Sequence, residues 1–278
     1  MSDPFTLMGV VNVTPDSFSD GGLYLDPISA IEHGVELQRE GATILDVGGE
    51  STRPGAEPVP PGEELARVLP VIDGLIGSDA DARISIDTSK AAVASAAIAA
   101  GATLVNDVTA LRGDPEMAGV IAGAGVECCL MHMLGEPRTM QEDPRYDDVV
   151  SDVKAFLEQR LAHAVAAGIS EDRILLDPGI GFGKTVEHNL ELLRRLDELV
   201  AIGRPVVIGT SRKSFLGRLV GRPDPAERVP GTIATCVVAF ERGARIFRVH
   251  DVAPVHDALV VAAATVAPWT TRPTSSTR

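Results

Sequence analysis

The sequence predicts an α/β fold of the (β/α)8 TIM-barrel type, a single domain with its active site at the C-terminal ends of the strands. Three observations carry this expectation. Eight short apolar runs recur along the 278 residues, and most follow a helix-like segment that ends in glycine, a common helix stop. The runs are continuous in Val, Ile and Leu rather than alternating, as in strands of a parallel sheet covered by helices. Eight such units in about 265 residues match the size of this barrel.

Strands are expected at residues 7–13, 42–47, 83–86, 103–105, 126–131, 173–176, 205–208 and 245–249. Helical segments end near Gly41, Gly77, Gly101, Gly125, Gly168, Gly203 and Gly243. Residues 89–100 are Ala-rich behind a Thr88-Ser89 cap candidate, and 147–167 are long and amphipathic. Residues 185–201 place Leu190, Leu193, Leu196 and Val200 on one helical face. Pro70 falls inside the segment 63–75 and is expected to kink or divide that helix. Beyond Val266 the chain is polar and Pro-broken, so the domain is expected to span 1–267 and a flexible tail 268–278.

Composition narrows the function. A formal charge of −14 and a pI near 4.8 argue against a nucleic-acid or anionic-membrane surface and favour a small-molecule role. The start Met-Ser-Asp-Pro-Phe-Thr has no basic region leading into an apolar core. No apolar run approaches the roughly 18 residues of a membrane span, so a soluble cytoplasmic protein is expected. Cys128, Cys129 and Cys236 lack metal-ligand spacing and read as reduced core residues.

In a barrel of this kind, chemistry collects where strands end. The predicted strands end in Asn12, in 46–50, in Asp87, in Asn106-Asp107, in His132, in Asp177, in 211–213, and in Arg248, His250 and Asp251. The stretch Asp177-Pro-Gly-Ile-Gly-Phe-Gly-Lys-Thr185 looks like a phosphate loop, but Pro178 stands where a P-loop needs its first glycine. A dinucleotide fingerprint starting at Gly179 would need its third glycine where Lys184 stands.

Asp87, Asn106 and Asp177 are acceptors, suited to a flat heterocycle with adjacent ring N–H and amino donors. Arg53, Lys213, Arg248 and His250 are cationic or can become so, and in an acidic protein they suggest an anion site. One pocket is therefore expected to hold a donor-rich ring beside a phosphate. The loops 14–22 and 50–62 are long and rich in turn formers, as lids over a barrel mouth are. His132 has no motif that gives it a task and reads as structural. Arg212 reads as solvated, and the acidic runs 79–81 and 147–148 as solvated faces.

Asn-Val-Thr-Pro-Asp-Ser-Phe-Ser-Asp-Gly-Gly (12–22), Glu-Ser-Thr-Arg-Pro-Gly (50–55), Ile-Asp-Thr (86–88), Asn-Asp-Val (106–108), the glycine-rich stretch from Asp177, Ser-Arg-Lys (211–213) and Arg-Val-His-Asp (248–251) resemble the signatures of the dihydropteroate synthase family. The resemblance covers about residues 6 to 266. It implies a folate-pathway transferase joining 7,8-dihydropterin-6-ylmethyl diphosphate to 4-aminobenzoate with loss of pyrophosphate, and a homodimer. By motif, Asp87, Asn106, Asp177 and Lys213 would hold the pterin and Arg248 would cover its face. Asn12 would ligate Mg²⁺ on the diphosphate, and Arg53, Arg248 and His250 would contact its oxygens. Thr52, Arg53, Pro54, Phe18, Phe182, Ser211 and Lys213 would surround the aminobenzoate. Asp87, Asp177, Lys213 and Arg53 are the candidate catalytic residues. The alternatives are a pterin-binding methyltransferase-type module and a pterin-binding paralogue without synthase activity. The cations at 53, 211–213 and 248–250 favour the synthase, since a methyltransfer module has no diphosphate to discharge.

Overall fold

A computed structural model describes residues 4–14, 26–53, 55–78, 81–136 and 138–266. The expected tail, and Phe18 and Pro54, lie outside them. Within the described residues the chain alternates β1 (Thr6–Asn12), α1 (Pro27–Arg39), β2 (Ile44–Gly48), α2 (Pro61–Ile76), β3 (Arg83–Asp87), α3 (Ala91–Ala99), β4 (Leu104–Asp107), α4 (Met117–Ala124) and β5 (Glu127–Met131). It continues through α5 (Val149–Ala166), β6 (Ile174–Asp177), α6 (Val186–Arg194), α7 (Leu196–Val200), β7 (Val207–Ile208), α8 (Ser214–Val220), α9 (Val229–Glu241), β8 (Ile246–Val249) and α10 (Val252–Val266).

All strand pairs are parallel, in the order β6-β5-β4-β3-β2-β1-β8-β7. A single bridge between Leu176 and Val206 joins the two ends and closes the barrel. Each of the eight strands falls within two residues of its expected bounds at both ends.

Side chains alternate across a strand, so each second residue points into the barrel. Met8, Ile44, Leu104, Cys129, Leu175, Val207 and Ile246 form one buried apolar layer. Two residues further along the same strands stand Val10, Asp46, Asn106, Met131, Asp177, Gly209 and Arg248. The interior thus changes from apolar to polar within one layer, at the end where the βα loops begin. The opposite strand faces, including Leu45, Val47, Ile86, Leu130 and Phe247, pack under the helices in the main core. The three cysteines are free and buried, Cys128 and Cys236 in this main core and Cys129 in the barrel-interior layer.

Three expectations about helices are corrected. Of the two outcomes expected at Pro70, division of the helix does not occur: α2 runs continuously through it. A mid-helix proline costs about 3 kcal/mol, and the fully buried face of Val68, Val71, Ile72 and Leu75 outweighs it. Residues 185–201 form two helices rather than one, broken at Arg195 with φ −110° and ψ 30°. The break lets Leu192 and Leu193 before it, and Leu196 and Leu199 after it, all reach the core. The cap of α3 is not Thr88-Ser89, because Lys90 is the first flanking residue and Asp114 Oδ2 accepts the Ala91 N–H at 2.9 Å. Asp147 is exposed and the Asp148 side chain half exposed, as expected of a solvated face, but Asp148 also caps α5 by accepting the Ser151 N–H at 2.7 Å and bonds Arg195 at 2.7 Å.

Candidate active site

The polar strand ends surround one cavity of about 540 Å³. It brings together Asn12, Thr52, Arg53, Asp87, Asn106, Asp177, Phe182, Ser211, Lys213, Arg248 and His250, all expected from the sequence. Asn12, Asp87, Asn106, Asp177 and Arg248 come from β1, β3, β4, β6 and β8, and the others come from the loops that follow β2, β6, β7 and β8.

The floor is a network the sequence did not reveal. Asp46 is 0 % exposed and accepts from Ser85 Oγ at 2.6 Å, Asn106 Nδ2 at 3.1 Å and Arg248 Nε at 2.6 Å. Arg248 Nη2 also donates to Asp87 Oδ2 at 2.7 Å. The guanidinium is therefore forked between two carboxylates in the barrel interior. Burial opposes its charge, but Asp46 and Asp87 outweigh burial and hold Arg248 above the usual arginine range. Donation of the Asn106 amide nitrogen to Asp46 orients that amide, a consequence for whatever it meets in the cavity.

Burial pushes Asp87 up to about 7, against the pull of Arg248. Burial also raises Asp177, while the Gly179 N–H, 2.6 Å from Oδ1, and the charge of Lys213 lower it. Lys213 is brought down to about 8 by burial and then by Arg248, and its Nζ lies 4.0 Å from the centre of the Phe182 ring. Asp107 follows Asn106 but faces away from the barrel interior, accepting from Thr109 N–H, Thr109 Oγ and Leu111 N–H. Its task is to shape the turn.

His250 differs from the cation that its position suggested. Burial and the neighbouring Arg248 lower it to about 3, so it is neutral near pH 7. Its Nδ1 lies 3.0 Å from Ser211 Oγ, which also accepts the His250 N–H at 3.0 Å. Arg212 is half-buried and paired rather than simply solvated. Its Nε and Nη2 meet the two oxygens of Asp251 at 2.9 and 2.6 Å, a paired fork that fixes the turn before α8.

The loop after β2 is pinned from below. Glu50 accepts the Val59 N–H at 2.7 Å and Lys90 Nζ at 2.8 Å, and Lys90 also bonds the fully buried Glu64. This anchor lies directly before Ser51, Thr52 and Arg53. His132, read as structural from the sequence, is 5 % exposed and its Nδ1 meets Lys184 Nζ at 2.9 Å. Among the described residues no group of three or more His, Cys, Asp or Glu side chains could hold a metal ion, and no helix is long and apolar enough to cross a membrane.

A family model described as pterin binding enzyme matches residues 8–250. The dihydropteroate synthase of Escherichia coli (strain K12) is 46 % identical over 260 residues, covering 94 % of this chain and 91 % of that protein. Among solved structures, the Xanthomonas albilineans dihydropteroate synthase with 4-aminobenzoic acid has a TM-score of 0.90 at 49 % identity, covering 95 % of this chain and 94 % of that one. The same enzyme in complex with 7,8-dihydropteroate has a TM-score of 0.86 at 46 % identity, with 95 % of each chain covered. The polar barrel mouth thus sits in a chain that belongs to the dihydropteroate synthase family of pterin-binding enzymes.

Proposed function

We propose that the protein condenses 7,8-dihydropterin-6-ylmethyl diphosphate with 4-aminobenzoate to give 7,8-dihydropteroate and pyrophosphate. The observation that carries this reading is the shared cavity, in which the acceptors Asp87, Asn106 and Asp177 and the cations Arg53, Lys213 and Arg248 all meet. Asp177 and Asn106 accept the ring N–H and amino donors of the pterin, the charge-assisted bonds to Asp177 contributing about 1.5 to 3 kcal/mol each and the neutral bond to Asn106 about 1 kcal/mol. Arg248, low in the barrel, covers the ring, and Lys213 donates to its edge. Arg53, with the neutral His250 donating from its free ring nitrogen, faces the diphosphate. Thr52, Ser211 and Phe182, with Phe18 and Pro54, enclose the aminobenzoate.

The methylene carbon is attached to an electron-rich ring. Its C–O bond breaks first, the electron pair leaves with diphosphate, and the positive charge spreads into the pterin. The amine nitrogen of 4-aminobenzoate then forms the new C–N bond and releases its proton to water. No protein nucleophile or dedicated base is needed. Asp87 and Asp177 favour the developing cation, and Arg53 and Lys213 favour the departing anion. Positioning the amine in line is the task of the two long loops and Phe182.

Mg²⁺ belongs to the same proposal. Asn12 offers a hard amide oxygen at the cavity wall, and Mg²⁺ commonly takes one or two protein oxygens with the rest from substrate phosphates and water. When bound, the ion neutralises charge on the leaving diphosphate. A homodimer and a cytoplasmic location complete the reading. Helices α9 and α10 expose Val238, Val260 and Val261, apolar surface that a second copy could cover.

The test is to mix the protein with the dihydropterin diphosphate, 4-aminobenzoate and Mg²⁺ and to assay dihydropteroate and pyrophosphate. Formation of both supports the synthase. No product above background contradicts it and favours a pterin-binding paralogue without this activity.

A further inference from the structure

Lys184 is 3 % exposed, and no role proposed above uses it. Its Nζ donates to Gly179 O and to Phe182 O, each at 3.0 Å, and lies 2.9 Å from His132 Nδ1. An ammonium has three donors, and with His132 protonated on Nε2 it faces three acceptors. His132 is held in turn by Phe156, whose ring meets it edge-on at 4.8 Å between centroids.

The turn that Lys184 enters has no ladder of its own. Gly179, Gly181 and Gly183 all have positive φ, at 65°, 83° and 63°; apart from the Phe182 N–H, which donates to Gly179 O at 3.0 Å, the backbone groups of the turn find side-chain partners. Gln141 Nε2 donates to Gly181 O at 2.6 Å, Tyr146 Oη to Gly183 O at 2.7 Å, and the Gly181 N–H to Asn189 Oδ1 at 2.7 Å. Lys184 alone of these side chains reaches two carbonyls at once, and one of them is that of Phe182.

Asp177 is secured differently. It lies in the barrel ladder opposite Met131, and its carbonyl accepts the His132 N–H at 2.9 Å. Removal of the lysine would therefore loosen the turn at Phe182, whose carbonyl has no other side-chain tie among those above, while the ladder keeps the main chain of Asp177 in place.

We infer that Lys184 is a positioning residue for Phe182, fixing the turn that sets this ring against Lys213 on the aminobenzoate side of the cavity. The inference rests on the proposed synthase reading. The lysine touches no substrate; it acts through the backbone of the turn.

The experiment compares wild type with Lys184→Met, which keeps the length and loses the donors. A pterin analogue is titrated by calorimetry, and steady-state rates are measured against each substrate. We expect pterin affinity within about 3-fold of wild type and a KM for 4-aminobenzoate raised at least about 10-fold, because misplacing a positioning group by about 1 Å carries losses of that order. If Lys184→Met does not fold, Tyr146→Phe removes the neighbouring tie to Gly183 O alone and should raise the same KM about 3-fold, with pterin affinity unchanged. An unchanged aminobenzoate KM in the folded variant, or equal losses for both substrates, overturns the inference while an active wild type leaves the synthase reading standing. A wild type that forms no product overturns the functional reading, and the inference with it.

Discussion

Arg248 Nη2 lies 2.7 Å from Asp87 Oδ2 while Nε of the same guanidinium holds the fully buried Asp46, so one cation balances two interior carboxylates. Taking it away leaves both unpaired in the barrel. Arg248→Met should therefore cost about 3 kcal/mol or more of folding stability as well as activity, since breaking a buried ion pair strands a charge. Urea denaturation measures this, and an unchanged midpoint would refute the importance of the fork.

The same burial predicts a pH profile. Asp87 accepts ring donors fully only as a carboxylate, so kcat/KM should fall as pH drops through about 7, where burial places this group. Lys213 acts as a cation only when protonated, so the rate should also fall as pH rises through about 8. Lys213→Arg should move the alkaline limb upward, because arginine keeps its charge. For stability the sign is opposite to that of an ordinary salt-bridged aspartate. The raised Asp87 binds its proton more tightly folded than unfolded, so its contribution to stability is lost as pH rises from the normal carboxylate range towards 7. Rate profiles for wild type and variant decide the assignment; a flat response across both limbs would remove it.

Two glycines separate backbone strain from crowding. Gly179 has φ +65°, and an added Cβ would stand 1.8 Å from the His132 carbonyl oxygen. Gly55 has φ +83° with nothing within 4 Å. Gly55→Ala should cost about 1 kcal/mol from conformation alone, whereas Gly179→Ala should exceed about 3 kcal/mol because main chain must move. Chemical denaturation of the two variants gives both values.

Arg53 is exposed on its pinned loop, and it lines the same cavity as Asn12. Arg53→Ala should raise KM for the diphosphate substrate and for 4-aminobenzoate by about 10-fold or more, with pterin-ring affinity little changed. Asn12→Ala should instead raise the Mg²⁺ concentration needed for half-maximal rate. Titration of rate against each component separates the two.

Much of this arrangement is readable from the chain because strand ends and motifs are local. The strands announce themselves as continuous apolar runs, and Asp87, Asn106, Asp177 and Arg248 each stand last or next to last in one. Asp46 was visible at a strand end, but its partners Ser85, Asn106 and Arg248 come from three other strands, and register between strands is not written in any one segment. Lys184 looked like a failed phosphate-loop lysine because its acceptors are backbone carbonyls formed only when the glycine turn closes. Arg212 looked solvated for the same reason, since Asp251 reaches it across two βα loops. The protonation of His250 is equally non-local, being set by burial and by Arg248. At Arg195 a single helical period concealed a break that only packing on both sides requires.

Asp177 joins the barrel ladder to the glycine turn, and its reading of the pterin ring is the centre of the account. The most direct measurement is calorimetric titration of a dihydropterin ligand into wild type and Asp177→Ala. The account predicts at least about a 10-fold loss of affinity, the worth of one charge-assisted bond or more, with the variant still folded. Equal affinities for the two proteins would contradict it.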